Sequence, residues 1–271
     1  MTPVCATCGA VYPAADEPPP SCPICEDERQ WVPEGGQKWT SLEELAGERK
    51  NEMREEDDGL LGIGIEPSFA IGQRLLVVDN PAGNVVWDMV PLCTGDAVAE
   101  VERRGGATAI AISHPHYYSG MLEWSHALGK IPILLHVADR EWVTRPDPLV
   151  EHWDGDTFAL PGGLTLIRLG GHFGGGTVLH WPGGADGRGT LLSGDIVQVM
   201  GHHRSVSFMW SYPNMLPLPA SEIRRIAAVL EEWQFDRIWG AWWGLAIRAG
   251  AKEVVHTSVE RYLSALGRTG Y

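Results

Sequence analysis

The chain has 271 residues, of which 44% are hydrophobic and 21% charged, a composition that fits a folded protein with a large core and excludes a wholly disordered chain. Acidic residues number 35 against 21 Lys and Arg, and the formal charge of -14 argues against nucleic acid as a partner because it repels phosphate backbones. The sequence has no apolar run of the roughly 20 residues that a membrane span needs, and no signal-peptide pattern, so we expect a cytoplasmic protein without membrane contact.

The first 40 residues carry two Cys-x-x-Cys pairs, Cys5 with Cys8 and Cys22 with Cys25, on either side of a proline-rich stretch. Each pair can turn two thiolates toward one ion, and a tetrahedral Zn²⁺ can stabilise a segment that is too small to build a core. A redox site, which is the alternative, needs only one such pair. We therefore predict a structural Zn²⁺ and a zinc ribbon over residues 1–40.

The remaining sequence divides into a polar connector and one large body. Ser41-Leu-Glu-Glu44 is a capping-box pattern that predicts a helix to about Glu56, and we assign residues 41–59 to a helical linker. In residues 60–271, short apolar runs between glycines and prolines predict strands, and amphipathic stretches predict helices. The predicted strands are 69–71, 74–78, 85–88, 107–113, 131–136, 164–169, 190–193 and 236–239, and the predicted helices are 96–104, 121–128, 220–233 and 252–266. This mixture fits an α+β fold with αββα layers, a topology that periodicity alone does not fix.

Three predicted strands end in side chains that can bind a metal ion. They lead, in chain order, into His114-Pro-His116, Gly171-His172 and Gly194-Asp195. Because side chains two residues apart on an extended segment point the same way, His114 and His116 can chelate one ion together. Each residue alone has an ordinary interpretation as a loop residue, but three imidazoles and one carboxylate together suit Zn²⁺, with Fe and Mn as alternatives.

This ordered series resembles the signature of the metallo-β-lactamase-fold hydrolases, which runs HxHxDH, then GH, then GD, then a last GH. The resemblance covers roughly residues 60–266 and implies an αββα sandwich with the metal at its edge. It also implies that Asp88 orients a metal ligand from outside the coordination sphere. The N-terminal cysteine pairs resemble a rubredoxin-like zinc ribbon joined to that body.

The sequence departs from the family at all three ligands that are specific to its second metal. Tyr118 and Ser119 stand where the family has the Asp and the last His of HxHxDH, and Ala241 aligns with the last His. The resemblance therefore implies one ion at the main site, held by His114, His116 and His172 together with Asp195.

We predict catalytic roles for Asp195, as a base, and for Tyr118, whose phenol can donate a hydrogen bond to an oxyanion or leaving group. Of the two adjacent tyrosines, Tyr118 is expected to face the cleft. Substrate-binding roles are predicted for three further aromatic residues, with ordinary core packing as the alternative: Trp210, Tyr212 and Trp242. His202 and His203 either supply a replacement ligand or general base, or lie on an exposed loop.

The leading functional prediction is a zinc-dependent hydrolase that attacks a small ester, thioester, lactone or phosphoester with a metal-activated water. The alternative is a catalytically retired protein that keeps its metal for folding or ligand binding and uses the ribbon to contact a protein partner or a second copy of the chain. A nucleic-acid-processing hydrolase is a third hypothesis, against which the acidic charge argues.

Overall fold

The computed structural model describes residues 1–267 and has two large β-sheets packed face to face, with helices on both outer faces. This arrangement confirms the predicted αββα sandwich. The last four residues of the predicted domain 60–271 lie outside the described residues. No helix within residues 1–267 is long and apolar enough to cross a membrane.

A small N-terminal module precedes the sandwich. Its elements are β1 (Pro3–Cys5), α1 (Pro23–Glu26) and β2 (Trp39–Ser41), followed by α2 (Leu42–Glu48). Strands β1 and β2 pair antiparallel, and the four cysteines form a separate small core with Tyr12 and Ile24. We call residues 1–40 the ribbon.

The first sheet has seven strands in sequence order. Its elements are β3 (Lys50–Asp57), β4 (Leu60–Glu66), β5 (Leu75–Val78), β6 (Val85–Trp87), α3 (Gly95–Arg103), β7 (Ala109–Ala111), α4 (Met121–Ala127), β8 (Ile133–His136) and β9 (Val150–Trp153). Strands β3 to β6 pair antiparallel and β6 to β9 pair parallel. Helices α3 and α4 provide the crossovers from β6 to β7 and from β7 to β8, and a 3₁₀ segment over Val137–Trp142 lies between β8 and β9.

The second sheet has six strands, in the order β10-β11-β12-β13-β18-β19. The elements from here to the end of the described chain are β10 (Thr157–Ala159), β11 (Thr165–Arg168), β12 (Thr177–Trp181), α5 (Gly184–Gly187), β13 (Thr190–Gly194), β14 (Gln198–Val199), β15 (Val206–Ser207), β16 (Met209–Ser211), β17 (Leu216–Pro217), α6 (Ala220–Glu231), β18 (Arg237–Gly240), β19 (Ala246–Ile247) and α7 (Ala251–Leu266). Two small hairpins, β14 with β15 and β16 with β17, lie outside this sheet.

Alternation along the strands assigns side chains to different layers of the core. In β5, Leu76 and Val78 face the second sheet, whereas Leu75 and Val77 face the layer that contains α3 and α4. Helices α6 and α7 cover the other sheet through residues such as Ile226. The central strands of both sheets, such as β5 and β13, are thus buried on both faces.

Two element predictions are wrong. The helix predicted over 41–56 ends at Glu48, because the chain becomes extended at Arg49 and residues 50–57 pair with β4 as an edge strand. The capping box at Ser41 does form, but the charged residues after it occupy the edge of the sheet, where charge discourages pairing with another chain. The strand predicted at 69–71 is a turn.

Candidate functional site

The four predicted ligands of the main site converge at one edge of the sandwich. His114 Nε2 lies 3.2 Å from Asp195 Oδ1, and His172 Nε2 lies 3.2 Å from His116 Nδ1. The four ligand atoms are all within 4.8 Å of one another, and all four residues are buried. This spacing allows one ion to contact every member of the cluster.

The two histidines of the HxH motif reach this position by a turn. His114 lies just beyond β7 and is followed by a 3₁₀ turn over Pro115–Tyr117, so the pair does not lie on the extended segment that we predicted. The turn brings the two imidazole centroids to 4.9 Å. His172 and Asp195 come from loops that follow β11 and β13.

Gly194 permits the close approach of β13 to the HxH segment. Its φ is +54°, and a Cβ there would lie 2.8 Å from Ser113 Oγ and 3.2 Å from Asp88 Oδ2. A larger residue would therefore push Asp195, which follows directly, away from the histidines.

Hydrogen bonds from outside the cluster orient two of the rings. Ser113 Oγ lies 2.9 Å from His114 Nδ1, and the Trp210 carbonyl accepts a bond of 2.7 Å from His172 Nδ1. Both contacts leave Nε2 facing the cluster. Asp88 accepts a 2.8 Å bond from the Ser113 N–H, so it supports a ligand through Ser113, consistent with the role that the family resemblance implies.

The electrostatics of the cluster fit a bound cation. Burial lowers the pKa of all three histidines, that of His172 to about 4, so the imidazoles are neutral and able to ligate. Burial, together with the charge of Asp88, raises the pKa of Asp195 to about 8. Within residues 1–267, the buried His114 Nε2 and Asp195 Oδ1 have no hydrogen-bond partner, an arrangement that is costly unless an ion satisfies them.

The four cysteines form a second metal-ligand cluster. The Sγ atoms of Cys5 and Cys25 are 3.5 Å apart and those of Cys8 and Cys22 are 3.6 Å apart, too long for a disulfide. All four sulfurs lie within 4.8 Å of one another and are buried. Tyr12 Oη donates to Cys22 Sγ at 3.1 Å, as expected around thiolates that bind zinc.

A pocket of about 370 Å³ opens onto the His/Asp cluster. Its lining residues come from the ribbon, from three loops of the body and from the cluster itself: Arg29, Gln30, Trp31, Ala70, Ile71, His116, His172, Asp195, Tyr212, Pro213 and Trp242. Most of this lining is apolar, and the polar groups are concentrated at the metal-ligand cluster and on Arg29 and Gln30. This is the usual construction of a site for a small molecule.

The three aromatic residues predicted to bind substrate have different positions. Tyr212 and Trp242 line the pocket. Tyr212 Oη also donates to the Asp195 carbonyl at 2.7 Å, which holds the loop that carries this ligand. Trp210 does not line the pocket, because its indole packs on the Arg29 guanidinium and donates to Glu28.

The prediction that Tyr118 faces the cleft is wrong. Tyr118 is buried in the core between the first sheet and its helices and does not line the pocket. The neighbouring Tyr117 has its ring centroid 4.7 Å from that of His114. The 3₁₀ turn reverses which of the two rings approaches the cluster, so the geometry removes the basis for a catalytic role of Tyr118.

The region of the absent second-metal ligands is filled by buried groups. Gly240 pairs with Gly194 across β18 and β13, which places Ala241 beside Asp195 and supports the alignment. The buried Arg74 guanidinium donates to the Gly240 carbonyl at 2.6 Å and pairs with Glu56 at 2.9 Å. This buried ion pair, which the sequence did not reveal, lies next to the segment that carries Ala241.

The remaining candidates lie outside the site. His202 and His203 are on an exposed turn between β14 and β15, and neither belongs to the His/Asp cluster. The contribution of Arg29, Gln30 and Trp31 to the pocket was not predicted from the sequence. In the sequence, the one sign of this contribution was Trp31, an aromatic residue shortly after the second cysteine pair. No spacing rule connects it to the distant His/Asp cluster.

Comparison with known proteins identifies a close sequence relative and many structural neighbours. The relative is "Uncharacterized protein YmaE" of Bacillus subtilis (strain 168), which is 44% identical over 265 residues that cover 97% of this chain and 96% of the relative. A search of protein-family models finds no match.

Metallo-β-lactamases are among the structural neighbours. The enzyme from Pontibacter korlensis superposes with a TM-score of 0.56 at 15% identity, over 81% of this chain and 100% of that one. FIM-1 from Pseudomonas aeruginosa, in its mono-zinc form, superposes with a TM-score of 0.57 at 11% identity, over 80% of this chain and 97% of that one. At these identities the similarity establishes the fold and leaves the activity to be argued from the site.

Proposed function

We propose that this chain, which belongs to the same family as Bacillus subtilis YmaE and has the metallo-β-lactamase fold, is a metal-dependent hydrolase with one ion at its main site. The observation that carries the proposal is the convergence of His114, His116, His172 and Asp195 at the floor of an apolar pocket. Our preferred ion is Zn²⁺, with Fe and Mn as alternatives.

A Zn²⁺ bound there would polarise a substrate oxygen and lower the pKa of a bound water to about 7. The chain's own groups hold and orient the reactants. His116, His172 and Asp195 face the pocket, whereas His114 lies behind them with no exposure. Asp195 is the one carboxylate among the lining residues of this pocket, so it is the group that can accept a proton there.

The reaction we propose is hydrolysis of an ester, thioester, lactone or phosphoester of small or medium size. The pocket volume of about 370 Å³ sets this size limit. The absence of Asp, His and His at positions 118, 119 and 241 favours a mechanism that needs only one ion. We propose a small molecule as the substrate, since the acidic chain would repel a polyanion.

The test is turnover of a panel of chromogenic esters, thioesters, lactones and phosphoesters by the zinc-loaded protein. We expect the variant His116→Ala to lose at least about a hundredfold in kcat/KM and one bound ion, because removing a ligand removes the ion. The matched control is His203→Ala on the exposed turn, which should keep the rate and both ions. Equal turnover by His116→Ala and the parent protein would contradict the proposal.

A second candidate is a catalytically retired protein in which the ion stabilises a binding or scaffold function. The observation that favours it is the replacement of all three second-site ligands by the buried side chains Tyr118, Ser119 and Ala241. This candidate predicts full occupancy of the His/Asp cluster without turnover of any member of the panel. Metal analysis and the rate assay on the same sample therefore separate the two.

A further inference from the structure

The ribbon is docked on the body beside the candidate metal centre. The Arg29 guanidinium lies 3.8 Å from the ring centroid of Phe173, which follows the ligand His172 directly. Its Nη1 donates to the His172 carbonyl at 3.3 Å, and Trp142 and Trp210 flank it at 5.1 and 4.6 Å. A side chain of the ribbon is thus inserted into an aromatic socket of the body.

The body also binds the backbone of this segment. Asn214 Nδ2 donates to the carbonyl of Glu28 at 2.7 Å and to that of Gln30 at 3.1 Å. Trp210 Nε1 donates to Glu28 Oε1 at 2.7 Å. These bonds hold the chain on both sides of Arg29 and fix where the next side chains point.

The residues fixed in this way form one wall of the pocket. Arg29, Gln30 and Trp31 line it, together with Ile71 and Trp242 from the body. Trp31 is 44% exposed, which is unusual for a large apolar side chain and leaves indole surface available to a ligand. The pocket next to the ligands is therefore completed by the ribbon.

We propose that the ribbon is the specificity element of the site: Trp31 binds an apolar group of the substrate, an aryl or branched alkyl group attached to the hydrolysable carbonyl. This proposal rests on the proposed hydrolase function. Trp31 and Gln30 lie on the ribbon side, Ile71 and Trp242 on the body side, and the reacting carbonyl would be at the His/Asp cluster between them.

The pairing of the one cation among the described residues of the pocket wall, Arg29, indicates that the substrate group in contact with Trp31 is uncharged. The Arg29 guanidinium already donates to the Asp27 carboxylate from both Nε and Nη2, the latter at 2.8 Å, and its Nη1 donates to the His172 carbonyl. The cation is therefore neutralised and serves to dock the ribbon. An anionic substrate tail would gain little from it, whereas an aryl group gains contact with indole surface.

The experiment compares the binding of two carboxylates, acetate and 2-naphthylacetate, to the zinc-loaded protein by calorimetry. The affinity for acetate measures binding of a carboxylate at the metal centre. The gain in affinity from acetate to 2-naphthylacetate measures the contact of the naphthyl group with the apolar wall. We expect Trp31→Ala to reduce this gain about tenfold while acetate binds as before, because the substitution removes one aromatic face from the wall. Val32→Ala, a change at the next exposed residue, is the matched control and should leave the gain intact.

A second variant tests the hydrogen bonds that Asn214 donates to the ribbon backbone, and it changes no residue of the pocket wall. Asn214→Ala should reduce the same gain about threefold, since the loss of two hydrogen bonds frees the segment that carries Trp31. Its control is Met215→Ala, at the neighbouring residue, which is 78% exposed. Thermal unfolding of each variant verifies that the fold is kept.

The outcomes distinguish the two proposals. An unchanged gain in Trp31→Ala would overturn the role of the ribbon, whatever the catalytic activity. Failure of acetate to bind a protein that holds its metal, together with no turnover, would overturn the proposed hydrolase. If the affinity for 2-naphthylacetate in that case still fell in Trp31→Ala, the ribbon would form part of a ligand-binding site without hydrolase activity.

Discussion

Gly194 and Gly240 pair in the parallel register of β13 and β18, so the residues that follow them, Asp195 and Ala241, leave the sheet side by side. One of these positions carries a candidate metal ligand and the other a methyl group. The candidate centre therefore lies on one half of the edge at which the sequence resemblance implied a site for two ions. The buried Arg74, bonded to the Gly240 carbonyl, lies on the other half.

The first prediction concerns metal content. We expect about two ions per chain, one in each ligand cluster. His114→Ala should remove one ion, and Cys5→Ser should remove the other, because each cluster has four ligands that converge on a single point. Inductively coupled plasma mass spectrometry of the purified proteins measures this, and a parent protein with three ions would contradict the mononuclear site.

The second prediction concerns the residue that orients His114. Ser113→Ala removes the hydroxyl 2.9 Å from Nδ1, so the ring loses the contact that directs Nε2 inward. We expect a loss of about 10- to 100-fold in metal affinity at the main site, measured by competition with a chelator. Ser125→Ala, also a buried serine with a bond to a carbonyl, is the control. Equal affinity in both variants would show that the hydroxyl does not orient the ligand.

The third prediction concerns the buried ion pair of Arg74 and Glu56, whose side chains are 0% and 7% exposed. Arg74→Met leaves the carboxylate without its partner, so the free energy of unfolding should fall by about 3–5 kcal/mol. The surface pair of Arg103 and Glu100 is the matched control, and Arg103→Met should lower the free energy of unfolding far less because solvent screens this pair. Chemical denaturation measures both values, and similar losses would refute the special role of burial.

The fourth prediction concerns the pH dependence of stability. Burial raises the pKa of Asp139 to about 6, so the native state holds a proton that the unfolded state releases near pH 4. The contribution of protonated Asp139 to the free energy of unfolding is therefore fully present below about pH 4, and it is lost as the pH rises through about 6. Asp139→Asn keeps an oxygen for the bond from the Gly175 N–H and removes the titration.

The measurement for this fourth prediction is the free energy of unfolding between pH 4.5 and 7. The difference between Asp139→Asn and the parent should move in favour of the variant as the pH rises, then become constant above the pKa. A flat difference for Asp139→Asn would show that this carboxyl does not titrate in that range.

Local patterns in the sequence were enough to propose the ligand sets and most elements, whereas the αββα topology was predicted from the resemblance to a known family. The two Cys-x-x-Cys pairs and the series of HxH, GGH and SGD after strands are short motifs that can be recognised from neighbouring residues alone. Strand alternation and helix periodicity likewise depend on neighbouring residues, so most strands of the sandwich and its helices α3, α4, α6 and α7 were predicted near their observed positions.

Only the tertiary structure decided which side chains surround the ligands. The 3₁₀ turn at Pro115 turned Tyr117 toward His114 and Tyr118 into the core, and pairing with β4 converted the end of a predicted helix into a strand. The docking of Arg29 beside His172 joins residues that are 143 positions apart, and no local pattern encodes that distance. The sequence alone determined the ligands because they follow strand ends, whereas packing between remote segments determined the pocket, because contacts of that kind depend on the assembled layers.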